Sequence, residues 1–308
     1  MDLTDLQVMT AFFAVVSFVF GATVGSFLTV CIYRLPRNES ITNPRRSRCP
    51  KCGNMIAWYD NIPIVSWIVL GARCRQCKEP ISWQYPLTEA LTAALFLLVF
   101  WQYKFTLATP IYMLLSAGLV LVTFVDLSHW EIPNEVTLPG IPIGVACSLA
   151  AMFYPESGLF VAGPPEALVL SSLLGAALGG GLIYGLDKLC LLVLKKPGMG
   201  FGDVKLLAML GAFFGWPSVL VIVFIASVIG SVMGVTVILV QRYRKKAAAD
   251  GPRPDETESA VEKSEEPGKD LPPGHYLPFG PYLAFAGLIV MLFGADILAF
   301  YGPLFGIR

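Results

Sequence analysis

Apolar runs long enough to cross a bilayer recur along the whole chain, and no other feature restricts its possible folds as much. A spanning helix needs about 20 consecutive apolar residues. Runs of this kind lie near 9–32, 87–103, 107–126, 136–154, 167–194, 204–215, 217–240 and 280–302, two of them short or broken. With 55% hydrophobic and 14% charged residues and a mean hydropathy of +0.66, the composition excludes a soluble globular protein. The expected fold is an all-α polytopic membrane protein of about eight transmembrane helices.

The first run is not a cleavable signal peptide. Asp2 and Asp5 stand where a basic region would precede it, and no small-residue cleavage site follows. Residues 1–33 are therefore expected to remain as the first anchor. Orientation follows from the placement of cations. Arg34, Arg37, Arg45, Arg46, Arg48, Lys51, Arg73, Arg75 and Lys78 follow the first run, Lys195 and Lys196 the fifth, and Arg242, Arg244, Lys245 and Lys246 the seventh. Eight crossings put all three groups on one side, and the opposite segment from Tyr154 to Glu166 has no Lys or Arg. The N-terminus is thus expected outside. Arg34 and Arg37 read as interfacial anchors, and Gly21 and Gly25 as a small-residue step for close helix packing.

Residues 34–86 form a polar cytoplasmic segment with two C-x-x-C pairs, Cys49/Cys52 and Cys74/Cys77, separated by 21 residues. Each pair can supply two thiolates to a tetrahedral metal, so the spacing predicts a structural zinc site with no open coordination position. A disulfide pair is the competing arrangement, disfavoured in a reducing cytoplasm. Cys31, Cys147 and Cys190 lie in apolar runs and read as small buried hydrophobes. Glu89, at the start of the second run, suits a helix-capping role.

Two aspartates carry the chemistry. Asp126, in FVDLSHWEIPNEVTLP, ends the third run; Asp203 opens a run after the glycines of GMGFGDVK. Alone, the first would be a solvated helix end and the second an N-cap. Together, at one membrane surface, they read as an acid and a base, because two close carboxylates do not both ionise easily. That pair suits water attack on a peptide carbonyl without metal or covalent intermediate. Gly200 and Gly202 allow unwound backbone for an extended substrate, and Lys205 can bias the local field. Asp187 is a weaker competitor, and Asp296 is expected near the outer face. His129 and Glu131 read as turn residues. The Pro- and Glu-rich stretch 247–276 reads as a disordered linker.

These stretches carry a resemblance to the type IV prepilin peptidase family, the GxGD class of membrane aspartic proteases. It rests on GSFLTVCIYRLP, CPKC with WYDNIPIVSW, GARCRQC, ISWQYPLTEALTA, VDLSHWEIPNEVTLPG, GMGFGDVKLLAMLGAFFGW and PFGPYLAFAG, in that order. The resemblance implies a catalytic dyad of Asp126 and Asp203 in an 87–308 protease core, with zinc on Cys49, Cys52, Cys74 and Cys77. It further implies prepilin or type II pseudopilin substrates, cut at a glycine before a hydrophobic helix at the cytoplasmic face of the bacterial inner membrane. S-adenosylmethionine-dependent N-methylation of the product follows from the same resemblance; membrane lipid is an expected partner and nucleic acid is not. Thr29, Ala72 and Asn134 depart from residues common in the family, and Ala72 lies in the segment linked to methyl transfer. Two other classes compete: a proton-coupled transporter using both aspartates, and a non-enzymatic pilus or secretion assembly factor.

Overall fold

The computed structural model describes residues 3–43, 47–49, 51–195, 200–249 and 278–301. The expected linker at 247–276 lies, from residue 250 on, outside the described residues; positions 247–249 continue a helix. Helix α1 (Leu3–Arg34) is followed by the cysteine segment with its short α2 (Val65–Val69). Then come α3 (Gln84–Tyr103), α4 (Ala108–His129), α5 (Asn134–Phe153), α6 (Leu168–Leu194), α7 (Phe201–Phe214), α8 (Trp216–Ala249) and α9 (Gly280–Tyr301). Among the described residues seven helices are long and apolar enough to span a membrane.

The remaining apolar helix, α7, has 14 residues and a length of about 21 Å, short of a hydrocarbon core of about 30 Å. Its missing length is supplied from the far side. The segment between α5 and α6 folds inward, with Val161 and Ala162 buried, and Ala162 donates its N–H to the Phe214 carbonyl at 2.9 Å. This partner satisfies a helix-end carbonyl that lipid could not. Phe160 N–H is likewise held by the Tyr112 hydroxyl at 2.8 Å.

Glycines set the helix crossings. A Cβ on Gly21 would lie 2.8 Å from Ala93 Cα, and one on Gly25 2.7 Å from Glu89 Cα, so α1 and α3 touch backbone to backbone. The LLGAALGGG stretch of α6 does the same against α7: a Cβ on Gly175 would lie 2.2 Å from the Gly211 carbonyl oxygen. Where hydrocarbon gives no hydrophobic drive between helices, such close approach supplies the packing. Helix α7 also meets α5, where a Cβ on Gly144 would stand 2.8 Å from the Ala212 carbonyl carbon. Helix α7 is the most enclosed of these, with Leu206, Leu207, Leu210, Ala212 and Phe214 wholly buried.

Two side chains differ from their expected roles. Arg34 is buried rather than anchored at the interface; its guanidinium donates to the Ser40 carbonyl at 2.8 Å and the Ile41 carbonyl at 3.2 Å, tying the loop to the end of α1. Glu89 sits more than a turn inside α3 instead of capping it, buried against α1, where its carboxylate accepts the Ile64 N–H at 2.7 Å. A fixed partner 25 residues away could not be read from local sequence.

Because the α6–α7 contact leaves no room for a methyl, Gly211→Ala should destabilise the protein by about 1–3 kcal/mol or more. Gly181→Ala, with open space around its Cβ, should change stability by less than about 1 kcal/mol. Thermal unfolding of the two variants in detergent compares them directly.

Candidate active site and metal centre

Asp126 lies in the last turn of α4, which ends when Trp130 adopts φ 60° and returns its N–H to the Asp126 carbonyl at 2.9 Å. Asp203 is the third residue of α7, whose N-cap is Gly200 rather than Asp203 itself. From that position the carboxylate reaches back to the Gly200 N–H, the reciprocal half of a capping box. The expected N-cap role is thus displaced by three residues. Both carboxyl groups are buried, Asp126 at 6% and Asp203 at 8% exposure, and the charge of Asp126 acts on Asp203.

Ile132, in the turn after α4, brings the two together. A Cβ on Gly202 would stand 2.8 Å from Ile132 Cβ, and one on Gly280 would stand 3.0 Å from Ile132 Cδ1. The side chain is therefore wedged between the first turns of α7 and α9. Gly280 is itself part of the site: its N–H faces the Asp126 carboxylate, and a Cβ there would meet Asp126 Oδ2 at 2.4 Å. Sequence reasoning passed over Gly280 and Ile132. The one signal for Gly280 was its place in PFGPYLAFAG, immediately before a helix.

The supporting residues fall out separately. Gly200 is the extended N-cap of α7, whereas Gly202, expected to allow unwound backbone, is helical and faces Ile132; Lys205 turns to α5, where its ammonium donates to Asn134 Oδ1 and stacks 5.3 Å from the Phe201 ring centroid. Asp296 is exposed towards the far end of α9, about 24 Å along the helix from Gly280.

The four cysteines expected to bind zinc converge: the sulfurs of Cys49, Cys52, Cys74 and Cys77 all lie within 4.8 Å of one another. Cys49 Sγ and Cys77 Sγ are 3.8 Å apart, the edge of about 3.8 Å that a tetrahedron with Zn–S bonds of about 2.3 Å requires. The two halves are equivalent turns at the same register. Cys49 N–H bonds to the Asn54 carbonyl and Gly53 N–H to Cys49; Cys74 N–H bonds to Glu79 and Lys78 N–H to Cys74. Bridges Arg48–Met55 and Arg73–Pro80 close them, and Gly53 (φ 70°) and Lys78 (φ 60°) take the left-handed position after each pair. RCPKCGNMI and RCRQCKEPI are thus one structural unit used twice.

Backbone N–H groups of Cys77 and Gln76 pull the Cys74 thiol down to about 7. Cys77 goes the other way, up to about 12: the Glu79 N–H favours its thiolate, but desolvation and the neighbouring Cys74, Cys52 and Cys49 outweigh it. Four touching thiols do not all ionise without a cation among them. The donor set and its spacing fit zinc. Around the cluster, Arg75 makes a two-pronged ion pair with Asp60 at 2.6 and 2.8 Å, holding the Asp60 carboxyl below its ordinary range. Trp67 Nε1 donates to the Ile81 carbonyl at 3.2 Å, so α2 and the second turn move together.

Residues 19–103 match the family model for the bacterial peptidase A24 N-terminal domain, and residues 113–235 that of the type IV leader peptidase family. The first span contains all four cysteines and the second both aspartates. The chain is 38% identical over 260 residues to the prepilin leader peptidase/N-methyltransferase of Myxococcus xanthus, covering 84% of this chain and 70% of that protein. To the proteins of the same description from Neisseria gonorrhoeae and Pseudomonas aeruginosa it is 35% and 34% identical, covering 76% and 72% of this chain and 85% and 80% of theirs. No solved structure matches the chain.

Metal analysis of the purified protein should find one zinc per chain, and Cys74→Ser should lose it. Protons compete with zinc for the thiolates. Zinc retention should therefore decline as the pH is lowered, as metal analysis after dialysis at successive pH values would show.

Proposed function

The chain belongs to the type IV leader peptidase family, and on that premise we propose that it is a membrane aspartic endopeptidase that cuts the leader from type IV prepilins or type II secretion pseudopilins and N-methylates the new N-terminus. Asp126 and Asp203 are its catalytic pair. The observation that carries this reading is the meeting of two buried carboxylates at the helix ends joined by Ile132.

Chemically the pair works as one unit. With one proton shared between them, the ionised carboxylate draws a proton from a water, which attacks the scissile carbonyl carbon. The protonated partner hydrogen-bonds the carbonyl oxygen, and a proton then reaches the departing amide nitrogen as the C–N bond breaks. Burial favours the singly ionised state, since two adjacent negative charges out of water are costly. Gly200, exposed and extended at the N-cap of α7, leaves the backbone beside Asp203 open to an extended substrate segment, which needs hydrogen-bond partners at membrane depth.

Arg34 and Arg37 at the end of α1, Lys195 at the end of α6 and Arg242 in the last turns of α8 stand at helix ends that the up-and-down order of the helices puts on the side of the dyad, which supports an active site facing the cytoplasm with the N-terminus outside. The four cysteines would hold zinc, whose role is to staple a segment too short to build its own core. S-adenosylmethionine is the methyl donor implied by the relatives' descriptions; it supplies a methyl group to the freed amine. The cavity next to α4's end is lined by Arg37 and no carboxylate, so it offers a partner for the donor's carboxylate and none for its sulfonium and ammonium.

Cleavage of a prepilin in detergent should fall by about 10²–10⁴-fold in Asp126→Asn and in Asp203→Asn, with zinc content unchanged. Wild-type rates in either would refute the dyad. Gly280→Ala should lower the same rate by about 10²-fold by displacing the Asp126 carboxylate.

A further inference from the structure

One cavity beside the dyad is left unused by proteolysis. It has a volume of about 300 Å³ and lies between the ends of α1, α3 and α4, lined by Tyr33, Arg37, Gln84, Tyr85, Ser128 and His129 among others. His129 is three residues beyond Asp126, about 4.5 Å along the helix axis. These three helix ends lie at the membrane surface on which we place the active site, so the cavity opens at the depth of lipid headgroups.

Its lining has one sign. Arg37 is held above the Tyr33 ring, 4.1 Å from its centroid, and anchored by a 2.6 Å bond to the Tyr33 carbonyl. No carboxylate forms a salt bridge with it among the described residues. Its charge acts on His129, as does that of Glu131, which lies outside the lining, so both stand near the imidazole. Nδ1 of His129 is sealed from the cavity, so His129 meets it through the rest of its ring. Gln84, Tyr85 and Ser128 add amide and hydroxyl donors, and no Asp or Glu belongs to the lining. Cationic guanidinium, neutral donors and no acid make an anion site, and pockets of this kind between transmembrane helices suit phosphate headgroups.

We propose that the cavity formed by Arg37, Gln84, Tyr85 and His129 binds the phosphate of an anionic phospholipid in the leaflet adjoining the dyad. The bound headgroup joins the last turn of α4 to α1 and α3. Arg37 supplies the counter-charge, and the Gln84 amide and the Tyr85 and Ser128 hydroxyls supply the donors. The inference rests on the proposed orientation only in naming the leaflet; the phosphate site itself does not depend on the peptidase reading.

Full-length protein reconstituted with phosphatidylglycerol, and separately with phosphatidylcholine alone, is stripped progressively in detergent and its retained lipid counted by native mass spectrometry. Wild type should retain phosphatidylglycerol preferentially, with about tenfold weaker retention in Arg37→Gln and a smaller loss in His129→Ala. Zinc content serves as the folding control for both. Equal retention of the two lipids by wild type, or unchanged retention in Arg37→Gln, overturns the proposal. Inorganic phosphate and S-adenosylmethionine are titrated against the lipid-loaded protein. Release of lipid by millimolar phosphate supports a phosphate subsite, whereas Arg37-dependent binding of S-adenosylmethionine that displaces the lipid assigns the cavity to the methyl donor and overturns it.

Discussion

The contact of Ile132 with Gly202 and Gly280 is the interaction on which the site depends. Three helix ends from distant parts of the sequence meet at one branched side chain, and each partner is a glycine because nothing larger fits. That wedge packs the turn after Asp126 against the first turn of α7, which carries Asp203. Behind it, α7 is clamped on two faces by backbone-to-backbone contacts with α5 and α6 and capped at its far end by Ala162. A short helix enclosed this way has little freedom to tilt. In a close-packed interior a displacement at one end is felt at the other, so the rigidity of the small-residue crossings is what holds Asp203 opposite Asp126.

The cysteine segment is joined to the membrane bundle by a different device. Glu89 of α3, buried where Gly25 lets α1 approach, accepts the N–H of Ile64, a β-branched residue at φ 62°. That backbone region is costly for such a residue. Ser66 then ties Ile62 and Tyr59 together, and Trp67 and Arg75 bind the second cysteine turn. Zinc would fix the two turns to each other, and Glu89 fixes the pair to the bundle.

Legibility in the sequence followed the range of the interaction. The spans and the cysteine pairs are local patterns, and they read correctly, as did the short run that became α7. Asp126 and Asp203 each stood out by position within their own helix. Their approach did not, since it depends on Ile132 filling space left by glycines 70 and 148 residues further on. Glu89 and Arg34 were misjudged for the same reason: each looked like a helix-end charge until its partner, 25 residues away or on the returning loop, was in view. The 25-residue repeat of the cysteine turns was visible in RCPKC and RCRQC but needed the matching hydrogen bonds to give it meaning.

The central claim is that the two carboxylates act as one unit, and a double-mutant cycle tests it most directly. Asp126→Glu and Asp203→Glu keep an acid at each position while moving it by a methylene, so residual single-turnover cleavage of a prepilin stays measurable. The account predicts strong non-additivity, with the double variant scarcely slower than the worse single variant. Losses that add in free energy to within about 0.5 kcal/mol would mean the residues work independently and would contradict it.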